Sequence, residues 1–289
     1  MATDPILDRL GTIRNLPSLP AVVNKVRQAV RNPRADARRI AGIIEDDPSM
    51  MTRILKVVNS AFYGGVEPIT SVQQAVARMG FNAVSNIAMS TSVFSSFGRD
   101  DEAGFDREEF WRHCISTGIA ANVLYDATAG NLNRRYSADV LHLAGLLHDI
   151  GKIIFEQFFH EEFAVALERC AFEHRPLFSV ETEILSANHS FVGAWLGEKW
   201  NLSPEVVEAI AFHHDPENAC EEYRELVMLC HAANFICNLR RIGNSGDSTA
   251  PSFVFGVWKH LGFDADDIPL VVDKIQEESA KSEILLSFL

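Results

Sequence analysis

The segment ADVLHLAGLLHDIGKIIF, residues 138–155, constrains the fold more than any other. A helix drawn through Val140, Leu141, Leu143, Leu146 and Leu147 has no polar face. Such a helix has to be enclosed by other elements. It nevertheless ends in His148-Asp149 and, just beyond, Lys152. A carboxylate enclosed without a partner is strongly disfavoured or forced to protonate. Either Lys152, three residues on, or a metal ion is needed to neutralise Asp149. An imidazole beside a carboxylate offers two ligands to one point, and the carboxylate can bridge two ions about 3.5–4 Å apart.

The rest of the chain repeats at helical spacing. Ile40, Ile43 and Ile44, then Met51, Ile54, Leu55 and Val58, fall three and four apart and predict one apolar face each. Pro48 divides these two helices, and Pro20 opens the helix carrying Val22, Val23, Val26 and Val30. Residues 60–71 read as a loop, and the run GRDDEAG at 98–104 as the seam between two blocks, 1–98 and 105–289. Asp106 and Glu109 stand at capping spacing before Phe110 and Trp111. Helices are expected over 106–126, 137–150, 152–172, 179–199, 203–214 and 222–240. A surface loop follows at 240–252, and one or two closing helices fill 253–289. No stretch alternates at strand period, so the fold class is all-α.

Composition narrows the setting. No apolar run reaches the roughly 18 residues of a membrane helix, and the first fifteen residues lack a secretory pattern. Five cysteines without a CxxC pair suit reduced thiols in a cytoplasm. The net charge of −13 is uneven. Residues 1–98 carry 11 Lys and Arg against 7 Asp and Glu, a net of +4, and residues 99–289 carry 15 against 32, a net of −17. The acidic part repels a phosphate backbone, so neither nucleic acid nor a membrane is an expected partner. Attraction between the two blocks is favoured over an outside acidic partner as the use of the basic block.

Polar residues recur on faces that periodicity turns inward. His113 lies within the apolar arc after Phe110. His189 shares a face with Gly193, Leu196 and Trp200. His213 and His214 close a helix carrying Val206, Val207 and Ile210, and Asn234 interrupts the stripe Val227, Cys230, Cys237. One inward histidine is ordinarily a satisfied core residue. Several on separate helices point to convergence. Trp195, Trp200 and Trp258 read as core, Arg38-Arg39 and Arg134-Arg135 as solvated pairs, and Cys230 with Cys237 as core neighbours. Leu19, Pro20, Asn59 and Tyr63 read as packing and loop geometry rather than a partner surface.

These segments resemble a known family. LLHDIGK with inward histidines on both sides resembles the HD superfamily of metal-dependent phosphohydrolases. LPSLPAVVNKV, IIEDDPSMMTRILKVVNSAFYG, FWRHCISTG, HLAGLLHDIGKIIF, ANHSFVGAWLGEKWNLSPEVVEAIAFHH and LVMLCHAANFI narrow this to the HDOD domain, over about residues 12–240. The resemblance implies an N-terminal helical bundle packed on an HD-like bundle and a role as a bacterial signalling output module. By position, His113 matches the first HD ligand, His148-Asp149 the dyad, and Lys152 the lysine that contacts phosphate in active relatives. His189, His213 and His214 match further histidines of the HD-GYP phosphodiesterases. Two departures weigh against catalysis: the GYP run is absent, and Asn234 stands where the last aspartate belongs.

Three functions follow. The favoured one is a non-catalytic signalling module with a partly retained metal site and unidentified protein partners. The second is a metal-dependent phosphohydrolase or cyclic-nucleotide phosphodiesterase, in which Asp149 and Lys152 serve catalysis. There His113, His148, Asp149, His189, His213 and His214 hold one or two ions of iron, manganese or zinc. The third is a metal- or nucleotide-binding sensor without turnover.

Overall fold

The computed structural model describes residues 5–280 except 14, 15, 17, 31, 33–35, 61–66, 98–103, 129, 131 and 265. Tyr63 and most of the seam at 98–104 lie outside the described residues, as does the chain beyond 280. Every regular element among the described residues is helical. The described residues fall into two compact units, one within 18–97 with 138–140 and 280, the other within 5–16, 104–137 and 141–279. Helix α1 (Pro5–Gly11) belongs to the larger unit.

The smaller unit contains α2 (Ala21–Val30), α3 (Ala37–Glu45), α4 (Pro48–Val58), α5 (Val72–Met79) and α6 (Phe81–Ser96). Its core is the inward stripe of each helix: Val23 and Val26, Ile40 and Ile44, Met50 and Ile54, Val72 and Val76, Val84 and Ile87. Asp36, Asp47 and Ser71 start three of them, their side chains accepting the amides of Arg39, Met50 and Gln74. Pro48 sits in the first turn of α4, where its missing N–H costs nothing. Asn59 fixes the loop after α4. Its amide oxygen accepts the Ile69 N–H at 2.7 Å, and its Nδ2 donates to the carbonyls of Ile69 and Leu55 at 2.7 and 2.8 Å.

The larger unit contains α7 (Arg107–Ala127), all but the first three residues of α8 (Ala138–Leu147), α9 (Ile150–Phe158), α10 (His160–Glu173), α11 (Leu177–Leu185), α12 (His189–Lys199), α13 (Pro204–Phe212), α14 (Arg224–Leu239), α15 (Gly256–Leu261) and all but the last residue of α16 (Asp267–Ala280). Helix α7 lies along α14, and α12 packs against both α9 and α13. Phe110, Phe155 and Phe163 are fully enclosed, each contributing about 1.5–3 kcal/mol of burial. Asp106 caps α7 as its spacing predicts, accepting the Glu109 amide at 3.0 Å.

Two expected long helices are divided. The span 152–172 breaks at Phe159, which leaves the helical region (φ −133°, ψ 38°). The span 179–199 breaks where Ser186 turns left-handed (φ 63°) and Asn188 caps α12 through the Phe191 amide. The helix expected over 137–150 ends at Leu147, and Asp149 departs from helical geometry. Trp195 and Trp258 are half-buried rather than core. Arg134 is not merely solvated, since its guanidinium meets Glu222 and its amide Glu225. No helix among the described residues is long and apolar enough to cross a membrane.

Candidate metal centre

Two close helix contacts deliver the His148-Asp149 corner. A Cβ on Gly118 would lie 2.6 Å from the His142 carbonyl, so only glycine lets α7 approach α8 there. A Cβ on Gly151 would run into the carbonyl oxygen of His189, so α9 and α12 touch backbone to backbone two residues after Asp149 and at His189 itself. Both contacts place ligand-bearing positions within reach of one carboxylate.

That carboxylate is Asp149, fully buried with His113, His148, His189 and His213. Its Oδ1 lies 3.1 Å from His189 Nε2 and 3.4 Å from His213 Nε2. Its Oδ2 lies 3.3 Å from His148 Nε2, 3.9 Å from His113 Nε2 and 2.8 Å from Lys152 Nζ. His214 is half-buried, its Nε2 2.9 Å from His189 Nε2. Two overlapping ligand sets result: Asp149, His189, His213 and His214, and His113, His148 and Asp149. Within each set the ligand atoms lie within 4.8 Å of one another. Every histidine singled out in the sequence, with Asp149 and Lys152, comes to this one place.

The far nitrogens explain why the near ones are bare. His148 Nδ1 donates to the Gly145 carbonyl at 2.7 Å, and His213 Nδ1 to the Ile210 carbonyl at 2.9 Å. His189 Nδ1 donates to Glu181 Oε2 at 2.6 Å. For His148 and His213 this bond leaves Nε2 as the lone-pair nitrogen facing Asp149, the orientation a metal ligand needs, whereas His189 has to shed its Nε2 proton to ligate. His148 Nε2 and Asp149 Oδ1 are buried without a hydrogen-bond partner. Unmatched polar atoms of this kind normally signal a missing ligand. The residues therefore fit a divalent ion.

His113 is arranged differently. Asn238 Nδ2 donates to Asn234 Oδ1 at 2.6 Å, which fixes that oxygen as an acceptor. His113 Nε2, 3.0 Å away, therefore carries the proton that it gives to Asn234. Its inward nitrogen is already spent. Asn234 neither adds a charge nor frees the ring, which is the physical effect of an amide at this position.

Burial sets the proton affinities. Desolvation, reinforced by neighbouring rings, lowers His113 and His213 to about 3 and holds His214 well below the ordinary range. His189 feels desolvation most strongly, but the Glu181 and Asp149 carboxylates together outweigh it and raise the ring to about 9. Burial would raise the Asp149 carboxyl, yet His148 and Lys152 hold it well below the usual value.

Four contributors were not singled out from the sequence: Glu181, Asn238, Ser245 and Asp247. Glu181 carries a faint signal, a carboxylate eight residues before an inward histidine. Ser245 and Asp247 lie in the stretch expected as a surface loop. That expectation fails here, because Ser245 is buried and Lys152 Nζ donates to its carbonyl at 3.0 Å and to Asp247 Oδ2 at 3.0 Å.

The larger unit is thus all-helical and closes five imidazoles and a lysine around one aspartate. The chain is a member of the HDOD domain family, whose model matches residues 16–216. An uncharacterized protein of Treponema pallidum (strain Nichols) is 30% identical over 229 residues, 79% of this chain. The chain spans 43% of that relative's length. An HDOD domain protein of unknown function from Geobacter sulfurreducens shares the fold at a TM-score of 0.77, with 22% identity and 96% of each chain covered. A candidate metal-dependent phosphohydrolase from Shewanella amazonensis SB2B aligns at a TM-score of 0.64 and 25% identity, covering 96% of this chain and 97% of its own.

Proposed function

We infer that this chain is a bacterial, cytoplasmic signalling module that holds one divalent transition metal and does not turn over substrate. The observation that carries the reading is Asp149 Oδ1, buried without a hydrogen-bond partner beside the Nε2 atoms of His189 and His213. Asp149, His189, His213 and His214 would hold the ion. Three imidazoles and one carboxylate suit iron, manganese or zinc. When bound, such an ion supplies Lewis-acid chemistry and can acidify a coordinated water.

The chain's own groups argue against turnover. Lys152 has three N–H protons and three acceptors, Asp149, Asp247 and the Ser245 carbonyl, so none is left for a substrate oxygen. His113 is committed to Asn234. Protein partners and a nucleotide ligand belong to the reading as open identities, to be sought by co-purification.

Elemental analysis of natively purified chain tests the proposal. It requires about one transition metal per chain, lost in His213→Ala, and Asn234→Asp should add uptake of a second ion. A metal-free preparation that takes up no iron, manganese or zinc on titration rejects it. The second reading, a phosphohydrolase, draws on the name of the Shewanella amazonensis relative. Turnover of a phosphodiester by the wild type, abolished in a His148→Ala, Asp149→Ala double variant, would favour it.

A further inference from the structure

The segment 243–248 is built into the metal centre at four points. Gly243 (φ 69°) lies so close to α7 that a Cβ would strike the His113 amide nitrogen. The Asn244 N–H donates to the Glu109 carbonyl at 2.9 Å. Ser245 donates through Oγ to Asn238 Oδ1 at 2.6 Å, and Asn238 leads through Asn234 to His113. Asp247 accepts from Lys152 through Oδ2 and from the Leu177 amide through Oδ1 at 2.9 Å. The side chain of Asp247 is 3% exposed.

The chemistry of this arrangement is that of a counter-ion. An enclosed ammonium group attracts an anion, and Asp247 supplies one from the chain itself. An open cavity of about 700 Å³ lies against the same segment, lined by Asn238, Arg241, Gly243, Asn244, Ser245 and Asp247. The segment therefore has free space beside it, and among its anchors the two bonds that Asp247 accepts, from Lys152 and from the Leu177 amide, are ones another anion can take over.

We propose that residues 243–248 form a strap whose Asp247 carboxylate occupies the place of an anionic ligand group at Lys152, and that a phosphate-bearing ligand enters by displacing it. The inference rests on the reading of the cluster as a ligand site. Release of Asp247 also frees the Leu177 amide and loosens the Ser245–Asn238–Asn234 bonds to His113. Occupancy of the centre would thus reach the surface of the unit as movement of this strap.

Hydrogen exchange of this chain, with and without inorganic phosphate and with chloride as control, tests the idea. Phosphate should speed exchange at the Asn244 and Leu177 amides. Asp247→Asn should tighten phosphate binding about tenfold or more, and the gain should vanish in Asp247→Asn with Lys152→Gln. Phosphate that binds without altering those amides overturns the strap, as does equal affinity in wild type and Asp247→Asn, or no phosphate binding in either. The wild-type exchange result decides alone if the variant does not fold. Metal content is measured on the same samples. Strap release without metal uptake removes the metal reading and keeps the strap, and a metal-loaded chain whose strap ignores phosphate does the reverse.

Discussion

Residues 17–99 contain no histidine; all ten lie between His113 and His260. Both units bury polar side chains, but they spend them differently. In α6, Ser90, Thr91 and Ser92 return their hydroxyls to the carbonyls of Asn86, Ile87 and Ala88, closing each bond within the helix. Asn59 does the same for a loop. In the larger unit, His148 Nε2 and Asp149 Oδ1 are left open toward each other's neighbours. The first arrangement shapes a backbone; the second keeps binding capacity in reserve at a cost in stability.

The largest effect that separates the two should come from Lys152→Ala in metal-free protein. It leaves Asp149 and Asp247 enclosed without the ammonium group they share, and removal of one partner of such a pair costs roughly 3–5 kcal/mol. Urea unfolding measures it. A loss no greater than that of an ordinary surface substitution would erase the contrast.

Acid comes next. His113 and His213 resist protonation in the fold, at about 3, against 6.5 when unfolded. The folded chain then binds fewer protons than the unfolded one. Stability is complete above pH 6.5 and falls as pH drops toward 3, by up to about 1.4 kcal/mol per pH unit for each group. His189 works in the opposite direction: its contribution is complete below 6.5 and fades as pH rises through about 9. Urea unfolding of the metal-free chain at pH 7 and pH 5 reads the net acid loss, and the histidine-free smaller unit supplies none of it.

Smaller effects probe the other unit. Asn59→Ala removes the side chain that holds Ile69 and should cost about 1–3 kcal/mol, with faster exchange of the Ile69 amide. Ser92→Ala deletes a bond back to Ala88 and should change stability by less than about 0.5 kcal/mol. A large loss at Ser92 would show that the smaller unit, too, depends on its buried polar groups.

Much of this was legible in the sequence, for definable reasons. Helical period, Pro48 and Asp106 act within a few residues, so α3, α4 and α7 could be read locally. The ligand histidines betrayed themselves by sitting on apolar faces. The breaks at Phe159 and Ser186 were hidden, because neither a phenylalanine nor a serine announces a departure from helix; tertiary packing sets both. Asp247 was hidden for the opposite reason. A short polar stretch with glycines looks like solvent-exposed loop, and only a partner 95 residues away along the chain makes it interior. Glu181 shows the same limit, since its link to His189 crosses a helix break that periodicity did not reveal.

The missing side chain at Gly151 has a consequence for how firmly the ligands are aimed. Because α9 meets the His189 carbonyl with no intervening atoms beyond hydrogen, the spacing between Asp149 and His189 is inherited from two rigid main chains. The side-chain torsions then only have to aim the two groups across that fixed gap. Drift elsewhere in either helix can change what surrounds the pair, yet its bite survives for as long as that one position stays bare.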